Sequence, residues 1–144
     1  MSRSPRGIWL GAKGGHKMPD RILVIDDDEA TRYAYERTLN AAGYRTAGFE
    51  SYFAAAQEID NGAGALLVVD LLLPHGTPQG LSIARMARHR RPGLPIIFVT
   101  GHPEMAELAD EETGPIMLKP IDPDLLVAKV RDLLAGSGPE DPRT

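Results

Sequence analysis

Five short apolar runs recur along the chain, each closed by polar or turn-forming residues. They cover residues 21–25 (Arg-Ile-Leu-Val-Ile), 65–69 (Ala-Leu-Leu-Val-Val), 95–99 (Pro-Ile-Ile-Phe-Val), 115–118 (Pro-Ile-Met-Leu) and, more weakly, 44–48. Their length and β-branched content predict strands. Between them the apolar period lengthens to that of a helix. Residues 28–42 carry Tyr33, Arg37 and Ala41 along one side, and Gly43 stops the helix as a C′ residue. Ser51 is placed to N-cap a second helix through residue 59, ended by Asn61-Gly62. Residues 81–91 form a third, with a basic outer face of Arg85, Arg88 and Arg91, and a short fourth is expected over 104–110. Asp122 N-caps the last helix and Pro123 takes its first position. Leu125, Leu126, Lys129, Val130, Leu133 and Leu134 form its expected stripe.

Strands that are apolar on both faces belong in a parallel sheet covered by helices on both sides. The alternation therefore predicts an α/β, doubly wound (βα)5 domain with right-handed crossovers over residues 21–135. Residues 1–20 are rich in Gly, Ser, Arg and Lys, have no acid before Asp20, and read as a flexible leader. The Gly/Pro-rich residues 136–144 read as a flexible tail.

Composition narrows the function. A chain of 144 residues accommodates one ordinary domain. A net charge of -4 and a pI near 5.5 argue against direct nucleic-acid binding. With no cysteine there is no disulfide framework, thiolate metal site or cysteine nucleophile. No apolar stretch approaches bilayer length, so the expectation is a cytoplasmic protein with no membrane contact.

In an open parallel sheet, ligands bind beyond the carboxyl ends of the strands. The residues at those ends are Asp26-Asp27-Asp28, Asp70, Thr100-Gly101 and Lys119-Pro120. All polar interruptions of the apolar strands therefore converge on one rim. Carboxylates crowded together disfavour one another's ionisation, and a hard divalent cation such as Mg²⁺ relieves the crowding. Lys119 suits a phosphate oxygen or a carboxylate, and Thr100 can donate to an oxyanion. Together these groups suffice for phosphoryl transfer, where a protein mainly positions groups and neutralises charge. Asp28 is the aspartate expected to cap the first helix.

Residues 22–28 (Ile-Leu-Val-Ile-Asp-Asp-Asp), 68–74 (Val-Val-Asp-Leu-Leu-Leu-Pro), 98–101 (Phe-Val-Thr-Gly) and 118–120 (Leu-Lys-Pro) resemble, in order and near spacing, the signature stretches of response-regulator receiver domains. The resemblance implies a flavodoxin-like sheet of order 2-1-3-4-5. It implies that Asp70 is the phosphoacceptor, with Lys119 and Thr100 assisting. Asp26, Asp27, Asp70 and the Leu72 backbone carbonyl would hold Mg²⁺, Asp27 as a direct ligand. It implies a histidine kinase or histidine phosphotransfer protein as donor, phosphorylation-switched contacts with an unidentified downstream protein, and no separate substrate turnover. A cis bond before Pro120 is the family habit.

Three departures stand out. Ile116 occupies the fifth-strand position where receivers carry a switch aromatic. The loop over residues 74–80 is about two residues longer than the family pattern. The stretch from Gly101 to Lys119 is shorter, which weakens the fourth helix. Leu72 cannot orient water as a polar residue there can, so a persistent phosphoryl group is expected. Two other readings compete: a receiver-like docking module that is never phosphorylated, and an aspartyl-nucleophile hydrolase. Against the hydrolase, Asp70 is followed by three leucines, with no second acid two residues on. His75 and His102 read as exposed loop histidines, since no spacing supports metal ligation by them.

Overall fold

A computed structural model describes residues 21–73, 79–109 and 113–136 of the chain. In chain order the elements are β1 (Arg21–Ile25), α1 (Glu29–Ala41), β2 (Arg45–Phe49), α2 (Tyr52–Asp60), β3 (Leu66–Asp70), α3 (Gly80–Arg90), β4 (Ile96–Thr100), α4 (Pro103–Ala106), β5 (Ile116–Leu118) and α5 (Pro123–Gly136). The strands form one parallel sheet of order β2-β1-β3-β4-β5, as the resemblance implied. No helix among the described residues is long and apolar enough to cross a membrane.

The two-faced apolar strands explain the layering. Ile22, Val24, Leu66, Val68, Ile97 and Val99 point to one face and pack on Tyr35 and Leu39 of α1 and Leu126 and Val130 of α5. Leu23, Ile25, Leu67, Val69, Ile96 and Phe98 point to the other face, against Ala55 and Ile59 of α2 and Ile83, Ala84 and Ala87 of α3. β3 and β4 are buried along their whole length, whereas the edge strands β2 and β5 are only partly covered. That edge position is why residues 44–48 carried the weakest apolar signal.

The caps follow the side-chain chemistry. The Asp28 carboxylate accepts from the Thr31 amide at 2.9 Å and from the Thr31 hydroxyl. The Ser51 hydroxyl accepts from the Ala54 amide at 3.2 Å, and the Asp122 carboxylate from the Asp124 amide at 2.8 Å. Gly43 takes φ 99°, the left-handed conformation a C′ position favours.

Three expectations are corrected. The fourth helix is one turn, Pro103–Ala106, and gives way to a turn at Glu107 and Leu108 rather than continuing to residue 110. Leu125 is 59 % exposed; the buried stripe of α5 is Leu126 and Val130, flanked by Val127, Leu133 and Leu134, so Val127 replaces Leu125 and the stripe turns by about 50° round the helix. Arg91 is half-buried rather than fully on the outer face: it donates to the Ala63 carbonyl at 2.8 Å.

Phe98 is fully buried in the sheet centre, so Phe98→Ala is expected to cost about 3–5 kcal/mol. Leu125→Ala should stay within about 0.5 kcal/mol. Urea unfolding of both variants distinguishes this helix register from the one in which Leu125 is core.

Candidate functional site

The backbone ladders continue one step past the strand ends and fix the polar residues there. The Asp26 amide donates to the Phe49 carbonyl at 3.0 Å, the Leu71 amide to Val99 at 2.8 Å, and the Lys119 amide to Thr100 at 2.7 Å. Asp26 and Thr100 are therefore buried and Asp70 nearly so, although all three are polar. Asp27, two residues beyond β1, is exposed. The carboxylates of Asp26, Asp27 and Asp70 come together with ligand oxygens within 4.8 Å of one another.

Asp26 and Asp70 are held in the same way. In each, Oδ1 accepts from the amide two residues on: Asp28 at 2.9 Å for Asp26, and Leu72 at 3.2 Å for Asp70. In each, Oδ2 accepts from Lys119 Nζ, at 3.2 Å from Asp26 and 3.3 Å from Asp70. Lys119 follows β5 at the far edge, so its stem reaches past β4 to bridge the ends of β1 and β3. The Lys119–Pro120 peptide bond is cis.

Burial raises the Asp70 pKa and the neighbouring Asp26 charge adds to it; Lys119 and the Leu72 amide only partly reverse this. For Lys119, burial works against the charged form, but the Asp26 and Asp70 carboxylates outweigh it and hold the ammonium above its ordinary value. The site is thus an anionic cluster held by one cation, short of positive charge.

Thr100 ends β4, next to the Asp70–Val99 pairing. Its Oγ1 accepts from the His102 amide at 3.1 Å, which leaves the hydroxyl proton for another acceptor. The chemistry-bearing residues expected from the sequence therefore meet at one rim. The His102 side chain is exposed and lies 3.6 Å from Glu104. Among the described residues, Asp26, Asp27 and Asp70 are the acid cluster able to hold a metal. His75 lies outside the described residues.

Several supporting residues escaped sequence reasoning. Arg32 donates to the Asp26 carbonyl at 2.7 Å, steadying the acidic loop from α1. Tyr35 is nearly buried and lines a cavity of about 540 Å³ with Lys119, Pro120 and Ile121; burial lifts its hydroxyl to about 12, so it stays protonated. Gly80 packs so tightly on the carboxyl end of β3 that a Cβ there would lie 2.7 Å from the Asp70 carbonyl oxygen and 2.8 Å from Leu71 Cα. Gln79 bonds both backbone groups of Leu73. Its one sequence signal was a glutamine where a short capping side chain belongs. The basic cluster of α3 is divided: Arg90 pairs with Asp60 at 3.1 Å, and Arg88 donates to the Thr113 carbonyl at 3.2 Å.

Comparison with known proteins agrees with this geometry. A family model described as the response regulator receiver domain matches residues 22–131. The response regulator MprA of Mycobacterium sp. (strain KMS) is 31 % identical over 127 residues, covering 86 % of this chain and 54 % of its own length. The chain thus spans about half the length of the curated relatives it matches. A response regulator receiver protein from Sinorhizobium medicae WSM419 superposes with a TM-score of 0.72 at 29 % identity, covering 81 % of this chain and 95 % of the other. The BeF3-activated DrrB receiver domain gives 0.67 at 27 % identity, covering 80 % and 97 %. With its sheet order, its rim of acids and a family match over most of its length, the chain belongs to the response regulator receiver domain family.

Proposed function

We propose that this receiver takes a phosphoryl group on Asp70, with Lys119 and Thr100 assisting, and so switches its contacts with a downstream protein. The observation that carries the reading is the Lys119 ammonium held between Asp26 and Asp70 beside a third carboxylate. An Asp70 oxygen attacks the phosphorus of a phosphohistidine on a histidine kinase or histidine phosphotransfer protein. The P–N bond breaks, a P–O bond forms, and the leaving imidazole takes a proton. Lys119 then pairs with a phosphoryl oxygen, and Thr100 offers its free hydroxyl proton to another. The full acidic set disfavours a never-phosphorylated docking module. The receiver unit is proposed to span residues 21–135 and to work in the cytoplasm.

The donor set fits Mg²⁺. Three carboxylates converge, one of them exposed, and oxygen donors with room for water are what this ion prefers. Asp26, Asp27, Asp70 and the Leu72 carbonyl would hold it, and when bound it would neutralise charge on the phosphoryl oxygens. The chain's own groups then orient Asp70 through the Leu72 amide and keep the ammonium at the carboxylate pair.

Acetyl phosphate with Mg²⁺ is expected to add one phosphoryl group to the wild type and none to Asp70→Asn, by intact mass. Lys119→Met should phosphorylate roughly a hundredfold more slowly, having lost a preorganised charge. It should nevertheless bind Mg²⁺ more tightly, because the competing ammonium is gone. Slower phosphorylation with weaker Mg²⁺ binding would show that Lys119 builds the site rather than balancing it. Leu72 is 42 % exposed at the mouth of the site. Leu72→Asn is expected to lose its phosphoryl group several-fold faster, because an amide can orient attacking water but falls short of the roughly 10²–10⁴ that a true general base supplies. An unchanged or slower decay rate contradicts that role.

A further inference from the structure

The connection from β3 to α3 leaves the phosphoacceptor strand, runs through residues 74–78 and returns at Gln79. Its two described ends are joined by one side chain. Gln79 Oε1 accepts from the Leu73 amide at 2.7 Å, and Gln79 Nε2 donates to the Leu73 carbonyl at 3.0 Å. The carboxamide thus bonds Leu73 as a neighbouring strand would, with both donor and acceptor used. Although Gln79 stands at the N-cap of α3, its side chain caps no helical amide. It is turned to the strand exit instead.

The neighbouring bonds show what this clamp closes. The Leu71 amide donates to Val99, the Leu72 amide to Asp70 Oδ1, and the Leu73 amide to Gln79. The Leu71 carbonyl accepts from the Gly80 amide at 3.1 Å and the Leu73 carbonyl from Gln79. The Leu72 carbonyl accepts from no described residue. So every amide of residues 71–73 is used, and the carbonyls on either side of Leu72 are used. Among the described residues, one acceptor is left over beside Asp70. Gly80 meanwhile presses against Asp70 and Leu71 at a distance that tolerates no side chain, so the turn and the start of α3 are in direct backbone contact.

We propose that Gln79 is a positioning residue for phosphoryl transfer: by bonding both backbone groups of Leu73 it holds residues 70–73 in the turn that orients Asp70 and the Leu72 carbonyl. This rests on Asp70 being the phosphoacceptor. The physical need comes from the length of the connection. Closing a longer connection costs more chain entropy, and among the described residues the backbone hydrogen bonds that tie its ends are the Gly80–Leu71 bond and the Gln79 clamp. A short capping side chain at position 79 could not span the gap to Leu73; glutamine adds the methylene that makes the reach.

The test uses the full chain with Gln79→Met, which keeps the length and apolar stem but neither hydrogen bond. Four quantities are read for the folded protein: amide exchange at Leu73, the Mg²⁺ dissociation constant by calorimetry, the initial rate of phosphorylation by acetyl phosphate at saturating Mg²⁺, and the thermal midpoint. Gln79→Met is expected to exchange faster at Leu73, to bind Mg²⁺ several-fold more weakly and to phosphorylate roughly tenfold more slowly, the worth of about one net hydrogen bond. The midpoint should fall by no more than about 4–8 °C. Gln79→Glu serves if the methionine variant does not fold. It keeps an acceptor for the Leu73 amide but opposes the Leu73 carbonyl, so Leu73 should stay protected while the rate falls. Wild-type Mg²⁺ affinity and rate in a folded Gln79→Met protein, or in Gln79→Glu, overturn the proposal. Failure of the wild type itself to modify Asp70, checked against Asp70→Asn, instead overturns the reading on which it rests.

Discussion

One ammonium between two largely buried carboxylates is the constraint on which the rest of this structure turns. Asp26 and Asp70 end adjacent strands, and with Lys119 removed they would face each other in a poorly solvated rim. Charges that close and that far from water interact strongly, and like charges there disfavour folding. Lys119 reaches both oxygens from beyond β5, at 3.2 and 3.3 Å. Buried ion pairs seldom add net stability, because desolvation offsets the attraction. The cluster is therefore maintained for what it does, and the apolar sheet supports its cost.

That support is local as well as global. Each buried aspartate has one oxygen on a backbone amide and the other on the lysine, so neither carboxylate can rotate without losing a partner. Arg32 pins the acidic loop from α1, and Gly80 brings the start of α3 into backbone contact with the end of β3. The carboxylates of Asp26 and Asp70 are fixed by paired hydrogen bonds, whereas Asp27 faces solvent.

Much of the fold was legible because strands 1, 3 and 4 are apolar on both faces, a pattern only a covered parallel sheet explains. The rim followed from the topology rule once Asp26, Asp70, Thr100 and Lys119 were seen to end those strands. What was not legible depended on distance in space. Leu125 and Leu126 look alike in a linear stripe, and only packing on α1 and the sheet picks Leu126. Arg91 reads as surface charge until the Ala63 carbonyl is found beside it. Tyr35 is an ordinary helical aromatic until Lys119 is folded against its cavity. Gln79 is a plain loop residue until Leu73 lies opposite it. The one-turn α4, by contrast, was foreshadowed by the short Gly101–Lys119 interval, although its residues were set a turn too long.

Urea unfolding of the wild type and Asp27→Asn, each in EDTA and in saturating Mg²⁺, tests the balance of charge at this rim most directly. Asp27 belongs to the carboxylate cluster but makes no ion pair with Lys119. If repulsion among three carboxylates governs the rim, Asp27→Asn unfolds at higher urea than the wild type in EDTA, and Mg²⁺ stabilises only the wild type appreciably. An Asp27→Asn protein that is less stable than the wild type in EDTA, or that gains as much from Mg²⁺, contradicts it.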